Sequence, residues 1–229
     1  DCYEHSRSCN TIYSSKNNGK DMYWRIVRIN GDGTVRVIYD GTSAHDNGES
    51  SEDRLVGNSS FNGTERYDGD DNAYVGFMYG TTGSSTYEAT HVNTNNSTIK
   101  TYLDTWYENT IKGTTNEQYV VDNVFCNDRT ISSYMPRDFT NSGYGREDTA
   151  YRWYYNADYY NNKMMLTCPQ KNDAFTVSDT NNGNGALTYG VGLITADEVV
   201  LAGGWTSKNY NYYLYTGKDY WIMSPHRFE

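Results

Sequence analysis

Tyr23-Trp24-Arg25-Ile26-Val27-Arg28-Ile29, then Asn30-Gly31-Asp32-Gly33, then Thr34-Val35-Arg36-Val37-Ile38-Tyr39 is the stretch that decides the fold class. β-Branched and aromatic residues flank an Asn/Gly/Asp turn, the pattern of a β-hairpin. Downstream, Asp40 to Asp71 is rich in Gly, Ser, Asn and Asp and reads as surface loops. Ala73-Tyr74-Val75-Gly76-Phe77-Met78-Tyr79 reads as a further strand. Asn95-Asn96-Ser97-Thr98 offers N-cap chemistry for a helix through Ile111. Ile99, Leu103, Trp106 and Tyr107 recur at helical spacing on one face, and Gly113 is placed to stop the helix. Tyr119-Val120-Val121 leads into Cys126, and Ser132 to Asn162 reads as irregular, Tyr-rich loop. A second helix is signalled by Thr195-Ala196-Asp197-Glu198-Val199-Val200-Leu201-Ala202-Gly203-Gly204. Thr195 and Glu198 have capping-box spacing and glycines end the run. Leu214-Tyr215 and Tyr220-Trp221-Ile222-Met223 read as closing strands. The expectation is an α+β fold, with two short helices around small antiparallel sheets and long loops. With no linker and no internal repeat, residues 1–229 are read as one domain.

Composition narrows the partners. Hydrophobic residues make up 36% of the 229, a low share, yet aromatics reach 15% with 24 tyrosines, unlike a disordered chain. The apolar area is carried on rings with a polar tip. Nineteen Lys and Arg are scattered among 29 acids, for a net charge of −10, which argues against nucleic acid and against an anionic membrane surface. No apolar run approaches the roughly 20 residues that span a bilayer, so no direct membrane insertion is expected. No signal peptide is visible, as in a mature or excised chain.

The cysteines stand at 2, 9, 126 and 168, without zinc-knuckle or redox spacing. Of the three possible pairings we favour Cys2–Cys9 with Cys126–Cys168; four buried thiols are the alternative. Low Lys, abundant Asn, Thr, Ser and Tyr, and an even cysteine count lean towards an oxidising compartment, extracellular or at the cell surface. Asn58, Asn62, Asn95 and Asn96 occupy acceptor-type sequons. Asp68-Gly69-Asp70-Asp71-Asn72 offers clustered oxygens but lacks EF-hand spacing, and a solvated acidic turn is the preferred reading, with no metal assigned. Asp128, Arg129 and Asp173 stand beside the cystine segments and carry side chains capable of catalysis, for which a structural ion pair or loop anchor is the commoner role.

Several segments together resemble the C-type-lectin-like fold in its formylglycine-generating-enzyme-type form. Gly192-Leu193-Ile194-Thr195-Ala196-Asp197-Glu198-Val199 to Gly203-Gly204 is similar to that family's helix ending in Gly-Gly. Trp221-Ile222-Met223-Ser224-Pro225 resembles the Trp-bearing strand and Ser-Pro turn that follow. The chain also looks like uncharacterised surface proteins of gut Gram-positive bacteria, through Trp24 to Gly33, Phe125-Cys126-Asn127-Asp128-Arg129, Cys168-Pro169-Gln170-Lys171-Asn172-Asp173 and Tyr213-Leu214-Tyr215-Thr216-Gly217. The resemblance covers roughly residues 24–225. Relatives continue through a Gly-Val-Arg-Pro segment that supplies a last central strand, absent before Glu229 here. Similar domains serve as variable proteins of diversity-generating retroelements, and others sit at the tips of surface or pilus-like proteins. Formylglycine-generating activity needs paired cysteines near the C-terminus, and none follows Cys168, so that activity is not expected.

What the resemblance implies is a secreted or surface recognition and adhesion module without catalysis or cofactor, binding a protein or glycan. Trp205-Thr206-Ser207-Lys208-Asn209-Tyr210-Asn211-Tyr212-Tyr213-Leu214-Tyr215 has the Tyr, Asn and Ser mixture of recognition loops. Trp205, Tyr210, Tyr212, Tyr213 and Tyr215 are therefore candidate ligand contacts. Trp221, His226, Arg227 and Phe228 join them. Tyr213 and Tyr215 fit packing under a sheet equally well. The alternative is a structural subunit of a surface filament or pilus-like assembly, with self-association through scattered Tyr. An enzyme using Asp128, Asp173 or Glu198 is the third reading, although helix capping explains Glu198 better.

Overall fold

The structure, a computed structural model, describes residues 11–13, 20–62, 71–133, 142–154, 164–204 and 209–228. It is α+β, with short antiparallel sheets and three helices among the described residues. They fall into two compact units, each discontinuous in sequence: the described parts of Asp1–Asn58, Thr105–Val121 and Glu198–Tyr220, and those of Ser59–Asp104, Asp122–Asp197 and Trp221–Glu229.

The hairpin forms the frame of the first unit. Strands β1 (Thr11–Tyr13), β2 (Asp21–Ile29) and β3 (Val35–Gly41) make an antiparallel sheet in the order β1-β2-β3. The turn is tied by Asp32, whose Oδ1 accepts from the Thr34 amide and hydroxyl, and Gly33 takes φ 86°, open to a residue without Cβ. Trp24 lies opposite Tyr39, and both rings meet Trp106 edge-on, with centroids 5.6–6.2 Å apart. Ile26 opposes Val37 and Ile29 opposes Val35 further along the hairpin, all exposed.

The second unit holds β4 (Met78–Tyr79) paired with β5 (Asn95–Asn96), β6 (Phe125–Cys126) with β8 (Ala174–Phe175), and β7 (Thr149–Ala150) with β9 (Arg227–Phe228). Phe77 and Phe175 meet edge-on at 6.1 Å in its core, with Ile99, Leu103, Tyr151, Ile194 and Met223 buried alongside. Each fully buried side chain of this kind contributes about 1.5–3 kcal/mol.

Helix α2 (Thr98–Thr110) agrees with its sequence signal: Ser97 Oγ accepts from the Lys100 amide at 3.2 Å, and Gly113 turns the chain at φ 70°. Its residues to Asp104 belong to the second unit and those from Thr105 to the first. Helix α3 (Ala196–Leu201) is the second expected helix, and the chain leaves it through Gly203 at φ 94°. The expectation of two helices needs correction, because Tyr87–Thr90 forms α1, one turn capped by Thr86 Oγ1 on the Ala89 amide. One turn is too short to show a helical period.

Two strand expectations also fail. Asn72–Tyr74 is a 3-10 turn capped by the Asp71 carboxylate on the Ala73 amide, so only Met78–Tyr79 of that run is a strand. Between them Gly76 adopts φ 124°, and a Cβ there would sit 3.0 Å from Arg129 Cδ. Leu214–Tyr215 lies in turns, and Ile222 makes a single bridge to Ile194; the closing strand is Arg227–Phe228. The carbonyls of Tyr215 and Thr216 are occupied by the Gly48 amide and by Arg54, which takes them out of any ladder.

Cys126 and Cys168 are joined by a disulfide, as favoured. Cys2 and Cys9 lie outside the described residues. No described helix is long and apolar enough to cross a membrane.

Candidate functional site

In the first unit the Tyr-rich segment is fastened by a buried ionic network. Asp40 accepts from Arg25 Nε at 2.6 Å and from Arg54 Nε at 2.9 Å. Both guanidiniums then reach backbone carbonyls with their remaining N–H groups. Arg25 donates to the carbonyls of Tyr213 and, at 2.8 Å, of His45, and Arg54 to those of Glu49 and, at 3.2 Å, of Thr216. The Gly48 amide donates to Tyr215 O at 2.7 Å and Asn47 Nδ2 to Asn211 O at 3.4 Å. Arginine suits this task because its planar fork serves a carboxylate and carbonyls at once. The sheet, the loop at 43–50 and the segment at 209–216 are thereby held as one piece.

The loop has its own clamp. His45 Nε2 lies 2.9 Å from Asp53 Oδ1 and Nδ1 lies 3.1 Å from Glu49 Oε1. Asp53 also accepts from the Thr42 amide at 2.8 Å and Ser43 Oγ at 3.0 Å. Burial disfavours the imidazolium, but the two carboxylates outweigh it and raise the His45 pKa. The hydrogen bonds from Ser51, Thr42 and His45 likewise overcome burial at Asp53 and hold its pKa far below the ordinary value.

The candidate contacts divide between the units. Tyr210 is 62% exposed and Tyr213 41%, with the Tyr213 hydroxyl donating to Val27 O at 2.8 Å. Tyr212 and Tyr215 are half-buried; Tyr215 is in ring contact with both Tyr210 and Tyr212, and Tyr212 Oη lies 3.2 Å from Tyr220 Oη. Tyr213, read as equally suited to packing, is instead an exposed ring with an anchored tip. Trp205 lies outside the described residues. In the second unit Trp221 is exposed, its Nε1–H on Ser59 O at 2.9 Å and its ring edge-on to Phe61. His226 and Arg227 are exposed around the Tyr154 ring, and Phe228 is half-buried.

Sequence reading missed Tyr23, Trp24, Arg25, Ile26, Asp40, Ala44 and His45, which with Tyr213 line a half-open cleft of about 370 Å³ in the first unit. Tyr23 to Ile26 were read only as hairpin residues, and Asp40, Ala44 and His45 only as part of the polar loop stretch that begins at Asp40.

The acids weighed for catalysis are all paired with arginine. Asp128 binds Arg152 Nε, and Asp197 binds Arg152 Nη2 and accepts from Trp153 Nε1 at 3.1 Å. Glu198 Oε1 lies 3.0 Å from Arg28 Nε and 3.1 Å from Arg36 Nε, so two hairpin arginines, beyond any capping, account for it. Asp173, fully buried, accepts from Arg129 Nε at 2.7 Å and from the Arg129 amide at 2.8 Å. Asp71 is occupied by the amides of Ala73 and Gly83; residues 68–70 lie outside the described part. Among the described residues no group of three or more His, Cys, Asp or Glu is placed to hold a metal.

His91, 3% exposed, stands beside Arg129 and Asp173. Its Nδ1 lies 2.9 Å from Tyr87 O, which can only accept, so the proton belongs on Nδ1. Burial, then the Arg129 charge, push its pKa down to about 2. Unfolded, it titrates near 6.5. Below that pH only the unfolded chain takes up the proton, so stability falls by about 1.4 kcal/mol per pH unit. We expect a loss of about 2 kcal/mol between pH 6.5 and 5 in urea unfolding, and its disappearance in His91→Asn. An unchanged acid limb in that variant would contradict the assignment.

Comparison with protein-family models, with curated proteins and with solved structures finds no match.

Proposed function

We propose that the chain is an extracellular, non-catalytic recognition module of C-type-lectin-like type that presents a tyrosine-bearing loop to a protein or glycan. One observation carries this reading: half-buried Arg25 and buried Arg54 hold the loop's carbonyls while Tyr210 and Tyr213 remain exposed. A loop ordered before binding loses little entropy on contact, and tyrosine offers wide contact area with few rotamers. The disulfide fits an oxidising compartment. Arginine pairing of Asp128, Asp173 and Glu198 supports a structural use of these acids.

The test is an array of glycans and extracellular proteins probed with the wild-type chain and with Tyr210→Ser. Tyr210 is exposed, so the thermal midpoint should be unchanged. Binding should fall at least tenfold, in the range of a recognition hot spot. Wild-type binding that ignores Tyr210→Ser sinks the loop as the contact surface.

A second observation favours self-association. Ile29 and Val35, opposite each other on the hairpin, are 72% and 46% exposed, beside exposed Ile26 and Val37. Such a stripe suits a subunit contact in a surface assembly. Sedimentation of the native material separates the readings: polymer dispersed by Ile29→Lys supports assembly, and monomer at all concentrations removes it.

A further inference from the structure

His45 sits where a neutral imidazole does not fit. Its side chain is 3% exposed, and each ring nitrogen faces a carboxylate, Nε2 at 2.9 Å from Asp53 Oδ1 and Nδ1 at 3.1 Å from Glu49 Oε1. Only the imidazolium donates from both nitrogens. Ser43 Oγ lies 3.2 Å from Nε2, but its proton goes to Asp53 Oδ2 at 3.0 Å.

The two carboxylates are not equally fixed. Asp53 is held by the Thr42 amide and by the hydroxyls of Ser43 and Ser51. Glu49 is half-exposed, and its other bond is from the Asp46 amide to Oε2 at 3.0 Å. A neutral ring therefore keeps its proton towards Asp53 and turns the Nδ1 lone pair on Glu49. Two acceptors at that distance repel, and Glu49 is the side chain that can swing into water.

What Glu49 closes is the turn that carries the loop onto the tyrosines. Its amide donates to Asp46 O at 3.2 Å, and Gly48, at φ 75°, donates to Tyr215 O at 2.7 Å. The Tyr215 ring lies on Gly48, where a Cβ would come 2.9 Å from Cδ1, and it touches the rings of Tyr210 and Tyr212. Arg25 and Arg54 hold the carbonyls of Tyr213 and Thr216 independently. The remaining charges nearby leave the ring alone. Glu52 is paired with Lys218, Asp46 lies within the turn, and Arg25 and Arg54 are directed at Asp40, Asn47 and loop carbonyls.

We propose that His45 is a protonation switch for the tyrosine face: its charged form holds the turn at 46–49 against Tyr215, and loss of the proton releases Glu49 and loosens Tyr210 and Tyr212. The switch rests on the recognition reading and adds its regulation. Burial opposes the charge, but the bonds to Asp53 and Glu49 outweigh it, so His45 titrates above its ordinary 6.5. The ordered face is thus complete below pH 6.5 and is lost as pH rises through the raised value.

The test is a pH titration of the full chain without ligand, followed by NMR at the His45 ring, the Gly48 amide and the rings of Tyr210 and Tyr215. All should move with one midpoint above 6.5. Glu49→Gln offers a side chain that can either accept from Nδ1–H or donate to the bare nitrogen. In that variant the His45 midpoint should fall and the Gly48 and Tyr215 signals should stop following it. His45→Gln, with nothing to titrate, should show no such movement at all. The switch is overturned if His45 titrates at or below 6.5, if the Gly48 and Tyr215 signals ignore its midpoint, or if they still follow pH in either variant. Binding that depends on Tyr210 should weaken by about five- to tenfold above the midpoint, the cost of ordering one or two side chains on contact. Such binding unaltered by pH would remove the switch and leave the recognition reading standing, whereas coupled titration without Tyr210-dependent binding would do the reverse.

Discussion

Arg129→Ala should destabilise the second unit by about 3–5 kcal/mol, the cost of stripping one partner from a buried ion pair. Asp173 is completely buried and would be left, of its contacts with residue 129, only the amide bond at Oδ2. The loss extends beyond the pair. Arg129 Nη1 donates to Met78 O at 2.8 Å and Nη2 to Asn93 Oδ1 at 2.9 Å, so one side chain joins β4, the turn at Asn93 and the segment at Asp173. Glycine at position 76 lets the backbone pass against this guanidinium. Urea unfolding of Arg129→Ala, Asp173→Leu and the double variant checks it. The double variant should be markedly more stable than the sum of the single losses, since it leaves no orphaned charge. A loss under about 1 kcal/mol for Arg129→Ala would mean that water reaches Asp173.

The disulfide has an effect of similar size through the unfolded chain. Cys126 and Cys168 are 42 residues apart, and closing such a loop in the denatured ensemble is worth about 4 kcal/mol. The double serine variant should lose that amount, with the β6–β8 pairing of Phe125–Phe175 and Cys126–Ala174 exposed first to hydrogen exchange. Because the effect lies mainly in the unfolded state, the folded chain should keep its circular dichroism. A variant as stable as the wild type would show that the reduced chain is already compact.

These two effects mark the reach of sequence reading. The cystine was legible because four cysteines allow few pairings. A structural ion pair was the favoured role of Asp128, Arg129 and Asp173, but which partner each takes was not legible: Arg129 and Asp173 lie 44 apart in unrelated segments, and charge pairing has no periodicity. The strand expected over Ala73–Tyr79 failed for the same reason. Its β-branched and aromatic content is real, but Asp71 caps a turn there, and Gly76 turns where Arg129 needs room. The closing strands failed because Arg54 and Gly48 take carbonyls that a ladder would have used.

By itself, then, the sequence determined what depends on near neighbours: the hairpin of Tyr23 to Tyr39 with its Asn-Gly-Asp-Gly turn, helix α2 behind Ser97, helix α3 with its glycine exit, and the mixed α+β class. Turn dihedrals, caps and side-chain alternation are interactions within a few residues, and the chain carries them wherever it goes. The tertiary structure alone decided which tyrosines face water and what holds them. Arg25 reaches Tyr213 across 188 positions and Arg54 reaches Thr216 across 162. Contacts of that span exist only once the core has excluded water, which makes an orphaned charge or carbonyl costly and so selects the arrangement in which each buried arginine has its acceptors.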